Sequence, residues 1–170
     1  MSYDLMVFDP NAAPRERGEF SAWYQKQVDW PDDDSGFDPA TSSPALQKWY
    51  EAMLADWPNM QEVSDDEVDN PRITDYSFGP SIIYIGYRWS EADDAYDTTR
   101  RLALEHGVGF YDVSGDEGDG EIFFPGDELR PPSDGAWRNV AADFRSGNLS
   151  KYIPPMEPAK RRWFDFFRRK

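Results

Sequence analysis

Two short apolar segments joined by a tight turn are the feature that most constrains the fold of this chain. Residues 73–78 and 82–89 are rich in isoleucine and aromatic side chains, and Gly-Pro-Ser separates them. Such residues on both sides of a turn sequence are typical of an antiparallel hairpin. Alternate side chains of the second segment share one apolar face: Ile83, Ile85, Tyr87 and Trp89. We therefore expect this hairpin at the centre of a sheet.

Three more strands are expected, in residues 3–8, 108–113 and 121–124. Apolar side chains recur at helical spacing in three segments, which predicts helices over residues 14–30, 44–57 and 90–106. Gly107 is expected to end the third helix in a left-handed conformation. A fourth helix is expected from Ser133 or Asp134 to about Phe144.

The order of these elements predicts an α+β fold. We expect a small, mainly antiparallel sheet of four to five strands with the helices packed on one face. The chain has 170 residues and 16% aromatic side chains, enough for one hydrophobic core. Residues 1–157 are predicted to form a single α+β domain, and residues 158–170 a basic, aromatic C-terminal tail.

Charge is unevenly distributed along the chain. The net charge is -15, but the tail has six basic residues and one acidic residue, a local charge of +5, which leaves -20 for residues 1–157. A surface of this charge repels phosphate backbones and anionic lipids. We therefore expect a basic protein as partner, and neither nucleic acid nor a membrane as a partner of the body.

Cysteine is absent, and no run of about eighteen apolar residues occurs. The chain therefore has no disulfide or thiolate metal site, and a cytoplasmic location is expected.

The acidic stretch between the last two predicted strands was tested as a calcium loop. An EF-hand loop that starts at Asp112 would place Glu117 at the required glycine and Phe123 at the bidentate glutamate, so the pattern fails. A solvated hairpin tip, with glycines for positive φ, is the simpler interpretation. A non-standard cation site remains open, with these ligands: Asp116, Glu117, Asp119 and Glu121.

No catalytic pattern stands out. The one histidine, His106, is predicted at a helix C-terminus, where the helix dipole favours it for structural reasons. No nucleophile, zinc or phosphate-loop motif occurs, and no cofactor is expected. An enzyme that uses a pair of carboxylates remains open, because acidic residues are too numerous for the sequence to single out a pair.

Three acidic clusters are the candidate partner-binding residues. Each cluster alone is typical of solvated surface, but together they exceed what solubility requires. The candidates are Asp32, Asp33, Asp34, Asp65, Asp66, Glu67, Asp116, Glu117 and Asp119, with Trp30 and Phe37 as possible aromatic anchors.

The C-terminal tail interleaves aromatic and basic side chains, as in Arg162-Trp-Phe-Asp-Phe-Phe-Arg168. This pattern is compatible with a membrane surface or single-stranded nucleic acid. The alternative is that the tail folds back and its basic residues pair with the acidic body. Exposed aromatic residues would also permit a homodimer.

Several segments resemble small acidic bacterial cytoplasmic proteins of the immunity type found beside polymorphic or secreted toxins. The resemblance covers roughly residues 1–114, in these segments: Ser2–Asp9, Trp23-Tyr24, Thr74–Phe78, Ile83-Tyr84, Trp89–Ala92, Leu102-Ala103 and His106–Ser114. It implies a non-enzymatic, toxin-neutralising protein that binds and occludes a basic toxin domain through an acidic surface. The alternative is a carboxylate-dependent enzyme or a divalent-cation-binding protein.

Overall fold

An antiparallel sheet of five strands organises the part of the chain that the computed structural model describes: residues 2–29, 34–64, 69–115, 120–128, 135–149 and 152. The elements, in chain order, are β1 (Tyr3–Phe8), α1 (Arg17–Gln27), α2 (Pro44–Met53), β2 (Asp75–Phe78), β3 (Ile82–Tyr87), α3 (Ala92–His106), β4 (Gly109–Asp112), β5 (Ile122–Phe123) and α4 (Trp137–Ser146). Short 3-10 turns include Asp34–Phe37, Pro39–Thr41 and Trp89–Glu91. The predicted α+β fold with an antiparallel sheet is confirmed.

The centre of the sheet is β1. The strand order is β2-β3-β1-β4-β5, and all neighbours are antiparallel. The prediction that the β2–β3 hairpin forms the centre was wrong, because β2 is an edge strand. From Leu5 to Phe8, β1 is fully buried on both faces, which explains its almost continuous apolar sequence.

The helices cover both faces of the sheet, so the expectation that they pack on one face was wrong. Tyr3, Leu5 and Val7 point into the larger core with α2, α3 and α4, whereas Met6 and Phe8 point into a second core beneath α1. α1 lies on that second face because its Phe20 buries against Phe8, with ring centroids 5.1 Å apart. The uninterrupted apolar run of β1 requires a cover on each side.

Helix boundaries follow capping more closely than the apolar pattern. α1 begins after Glu16, whose carboxylate accepts a hydrogen bond from the Glu19 amide. α2 ends at Met53, and a turn then brings Trp57 into the core. The predicted left-handed end of α3 at Gly107 is confirmed, with φ of 67°. Ser133, Asp134 and the C-terminal tail lie outside the described residues.

Among the described residues, no helix combines the length and the apolar character needed to cross a membrane.

Candidate functional site

Two carboxylates flank a glycine on the α1 side of the sheet. Gly86 of β3 is in register with Asp75 of β2 on one side and Asp4 of β1 on the other. These residues, together with Tyr84 and Tyr24, are called the carboxylate strip below. The alternate residues of β3 enter the larger core, so Tyr84 and Gly86 face away from it. α1 ends at Gln27 and leaves Asp75 exposed and Gly86 and Asp4 half-buried.

Gly86 opens a shallow recess between the two aspartates. A Cβ atom at this position would lie 3.6 Å from Asp4 Oδ1 and 3.7 Å from the Asp75 Cβ. These are ordinary contact distances, so a side chain at this position would not clash and glycine is not required here. The space above Gly86 is open because glycine has no side chain. Burial, followed by the charge of Asp4, raises the pKa of Asp75.

Hydrogen bonds hold Asp4 in place. The Asp4 amide donates to Ser114 Oγ at 2.8 Å, and the Ser114 amide donates back to the Asp4 carbonyl at 3.1 Å. Tyr84 lies close to Asp4 and Tyr24, and burial, followed by the charge of Asp4, raises the pKa of its hydroxyl.

Acidic residues on the other face are neutralised by arginines. In α3, Asp93 pairs with Arg138 and Arg145, each at 2.9 Å. The other acids of α3 form the pairs Arg72–Asp94, Arg138–Asp97 and Arg101–Glu105, and Glu91, just before α3, also pairs with Arg72.

The carboxylate strip lacks such partners. Within the described part of the chain, neither Asp4 nor Asp75 forms an ion pair. The acids of α3 are therefore paired with arginines, whereas the two aspartates of the strip are not paired within the described part of the chain.

A second polar cluster lies where α3 meets β5. Glu121 pairs with Arg100 at 3.1 Å and accepts a hydrogen bond from the Tyr96 hydroxyl. Asp112 is almost fully buried and accepts a hydrogen bond from the Tyr3 hydroxyl at 3.3 Å. The Glu121 carboxylate, considered above as a cation ligand, is thus used to hold β5 against α3.

The acidic stretch of the last hairpin is closed by two glycines. A Cβ atom on Gly120 would lie 1.8 Å from the Asp112 carbonyl oxygen, and one on Gly115 would lie 2.4 Å from the Gly120 Cα. Close approach of the backbone therefore demands glycine at both positions. The expected reason, positive φ, was wrong for these two glycines, because neither has a positive φ. Ser114 binds Asp4, so this loop leaves the sheet beside the carboxylate strip.

Most of the predicted partner-binding residues lie outside the described residues: Trp30, Asp32, Asp33, Asp65, Asp66, Glu67, Asp116, Glu117 and Asp119. Asp34 begins the 3-10 turn Asp34–Phe37, which lies against β2, and Phe37 is 50% exposed there. The loop that contains residues 65–67 leads into β2, whose first residue is Asp75. The turn Asp34–Phe37 is thus near β2, and Ser114 is near the strip.

Among the described residues, no group of three or more His, Cys, Asp or Glu side chains is arranged to hold a metal ion. The strip itself contributes two carboxylates, whereas calcium takes six to eight oxygen ligands. His106 lies at the C-terminal end of α3, as predicted.

Sequence reasoning missed Asp4 and Asp75. Asp4 lies within β1 and Asp75 begins β2, and neither is part of a recognisable motif. The available signal was strand alternation, which places Asp4, Asp75 and Gly86 on the side of the sheet that faces away from the larger core.

Comparison of the chain with protein-family models, curated proteins and solved structures yields no match. The geometry of the strip is therefore the basis for its interpretation.

Proposed function

We propose that this protein is a non-enzymatic binding protein that docks a basic partner domain on the α1 side of its sheet. One observation carries the proposal: Asp4 and Asp75 flank an open glycine without a cation, whereas the acids of α3 are paired with arginines. The resemblance of residues 1–114 to immunity proteins supports a toxin domain as the partner, which the protein neutralises by occlusion.

Charge acts at two distances in this proposal. The body charge of -20 attracts a basic domain from solution and raises the association rate. At contact, a lysine or arginine side chain enters above Gly86 and lies between the two aspartates. The rings of Tyr84 and Tyr24 provide aromatic surface beside the cation.

The binding test uses a fluorescently labelled nona-arginine peptide as a basic probe. Asp4→Asn/Asp75→Asn should weaken its binding about tenfold, since two close charge contacts are lost. The matched control, Asp94→Asn/Glu105→Gln, removes the same charge from α3 and should change the affinity less than about twofold. An equal loss in both variants would contradict a defined binding face.

The toxin assignment needs a separate test in cells. If a toxin domain is encoded beside this gene, it should stop growth when it is expressed alone, and co-expression of this protein should restore growth. The strip variant should restore growth less well than the α3 control variant at equal protein levels. Rescue that both variants provide equally would remove the strip from the mechanism.

A carboxylate-dependent enzyme or divalent-cation-binding protein is the second candidate. The observation that favours it is that Asp75 and Asp4 lie on either side of Gly86 and that the pKa of Asp75 is raised, because a carboxyl group with a raised pKa can act as a general acid. Calcium or manganese should then raise the melting temperature reversibly, and Asp4→Asn/Asp75→Asn should abolish that rise. A binding protein of the proposed type predicts no such rise.

A further inference from the structure

We infer that the outer edge of β2 accepts an extended strand from the basic partner. The 3-10 turn Asp34–Phe37 lies against β2 in the free protein, and it moves aside when the strand pairs with Tyr76 and Phe78. The inference rests on the proposed function, because it names the part of the same partner that docks beside Asp75.

The hydrogen bonds of the β2–β3 hairpin fix which backbone groups of β2 face outwards. The Gly79 amide donates to the Ile82 carbonyl at 2.9 Å, so these two residues form a hydrogen-bonded pair. Antiparallel pairs alternate between bonded and non-bonded types along the strands. Ser77 therefore directs its N–H and C=O groups towards β3, whereas Tyr76 and Phe78 direct theirs to the outer edge.

The outer edge of β2 contains a gap of defined length. At one end, residues 58–60 form two backbone hydrogen bonds with Thr74, each of 2.9 Å. At the other end, the Ser43 amide donates to the Pro80 carbonyl at 3.1 Å. Between these ends, the outward N–H and C=O groups of β2 form no hydrogen bond with any described residue. The gap therefore lacks both donors and acceptors at the spacing of a strand.

This gap is covered although it is unpaired. Tyr76 and Phe78 are only 0% and 2% exposed, and the turn Asp34–Phe37 lies against their strand. Buried backbone N–H and C=O groups without partners are rare, because they have lost their hydrogen bonds to water. An added strand supplies donors and acceptors together, which is how proteins bind extended peptides at a sheet edge.

Side chains beside the gap indicate the chemistry of the incoming strand. Phe37 and Met60 are the exposed large apolar side chains among the described residues, and both flank β2: Phe37 in the turn, and Met60 in the segment paired with Thr74. The exposed Asp75 begins β2, so a lysine or arginine opposite it gains a cross-strand contact. A second copy of this chain fits less well, because two chains of net charge -15 repel each other.

A strand-forming probe tests the edge directly. The probe is the peptide Lys-Val-Lys-Val-Lys-Val-Lys-Val, added to the isotope-labelled full chain. NMR should show NOEs from the backbone protons of the peptide to the Tyr76 and Phe78 amides, and none to the Ser77 amide, which faces β3. The same peptide N-methylated at every residue keeps its charge but has no backbone donor, so it should bind at least about tenfold more weakly.

Two variants that add the same charge test the position of the peptide. Met60→Lys places a cation beside the gap and should weaken binding of the alternating peptide about tenfold, because the peptide is basic. Gln25→Lys adds the same charge on the exposed surface of α1 and should change the affinity less than about twofold. An equal loss in both variants would overturn the inference.

The remaining outcomes separate this inference from the proposed function. Equal affinity for the N-methylated peptide, or NOEs that do not involve Tyr76 and Phe78, would overturn strand addition. A dimer in sedimentation, with NOEs between the β2 strands of two copies, would assign the edge to a second copy and also overturn it. Strip-dependent nona-arginine binding without these edge contacts would leave the proposed function supported. Edge contacts without strip-dependent nona-arginine binding would refute the strip and leave strand addition supported.

Discussion

At the scale of single residues, Asp75 keeps its negative charge in an unfavourable place. Burial and the neighbouring charge of Asp4 raise its pKa, so the folded protein holds the Asp75 proton more tightly than the unfolded chain does. The ionised carboxylate therefore lowers stability above the raised pKa. Residues with perturbed pKa values are concentrated at functional sites.

The substitution Asp75→Asn should raise the melting temperature at pH 7 by about 1–2 °C, since the charged form is removed. The gain should decrease as pH falls through the raised pKa and vanish below about pH 3.5, where Asp75 is protonated in both states. Differential scanning fluorimetry across this pH range measures the effect. Asp56→Asn, an exposed acid after α2, is the control, and a gain that persists at pH 3 would contradict the electrostatic explanation.

Gly120 and Gly86 differ in whether the fold leaves room for a side chain. Gly120→Ala should destabilise the protein by about 2–4 kcal/mol, because its Cβ would collide with the Asp112 carbonyl oxygen. Gly86→Ala should change the free energy of unfolding by less than about 0.5 kcal/mol, because its Cβ fits at ordinary contact distance. Urea unfolding compares the two. Equal free energies of unfolding for the two variants would show that the backbone around Gly120 and Asp112 can move to accept the added Cβ.

At the scale of elements, the short strand β5 depends on α3. β5 pairs with β4 through only two residue pairs, Phe110–Phe123 and Tyr111–Ile122. The adjacent Glu121 pairs with Arg100, and their side chains are only 16% and 9% exposed. A mostly buried ion pair is costly to break, because the remaining charge loses its partner in a desolvated site.

Glu121→Gln should therefore destabilise the protein by about 2–4 kcal/mol. Glu105→Gln breaks the Arg101–Glu105 pair, whose side chains are 55% and 52% exposed, and should cost less than about 0.5 kcal/mol. Chemical denaturation gives both values. Hydrogen exchange should also show faster exchange of β5 amides in the first variant only, and similar protection in both would argue against an anchoring role.

At the scale of the whole molecule, negative charge is sorted between the two sides of the sheet. Arginines from other segments cross-link the acids of α3, and these pairs contribute to the contacts among α3, α4 and the segment before β2. The two aspartates of the carboxylate strip have no ion pair within the described part of the chain, and the partner is proposed to bind there.

Long-range attraction should depend strongly on salt. Reversing the charge of one acidic cluster, Asp65→Lys/Asp66→Lys/Glu67→Lys, should slow association with a basic partner about tenfold at low salt, and much less at high salt. Stopped-flow fluorescence with the labelled nona-arginine peptide measures the association rates. A loss of equal size at both salt concentrations would reject electrostatic steering.

Local patterns predicted much of the fold. The extents of β1 and of the β2–β3 hairpin, the apolar stripe of α2 and the end of α3 at Gly107 all follow from side-chain periodicity and turn chemistry within short segments. The position of β1 at the centre did not follow, because strand order depends on pairing between distant segments. The same holds for the side on which α1 packs.

The candidate site was missed for the same reason. Asp4, Asp75 and Gly86 are far apart in the chain, and only the register of three strands brings them into one row. The acidic clusters were visible because their members are adjacent in sequence. Phe37 is exposed beside β2 and stays a predicted anchor, and the partner and the homodimer also stay predictions.

The sequence by itself determined the α+β class, the identities of the strands and helices, and the excess of negative charge, because each depends on composition or on spacing within one segment. Only the tertiary structure decided which acids are neutralised and which remain uncompensated. Ion pairing requires contact between side chains, and contact depends on the packing of α3, α4 and the sheet.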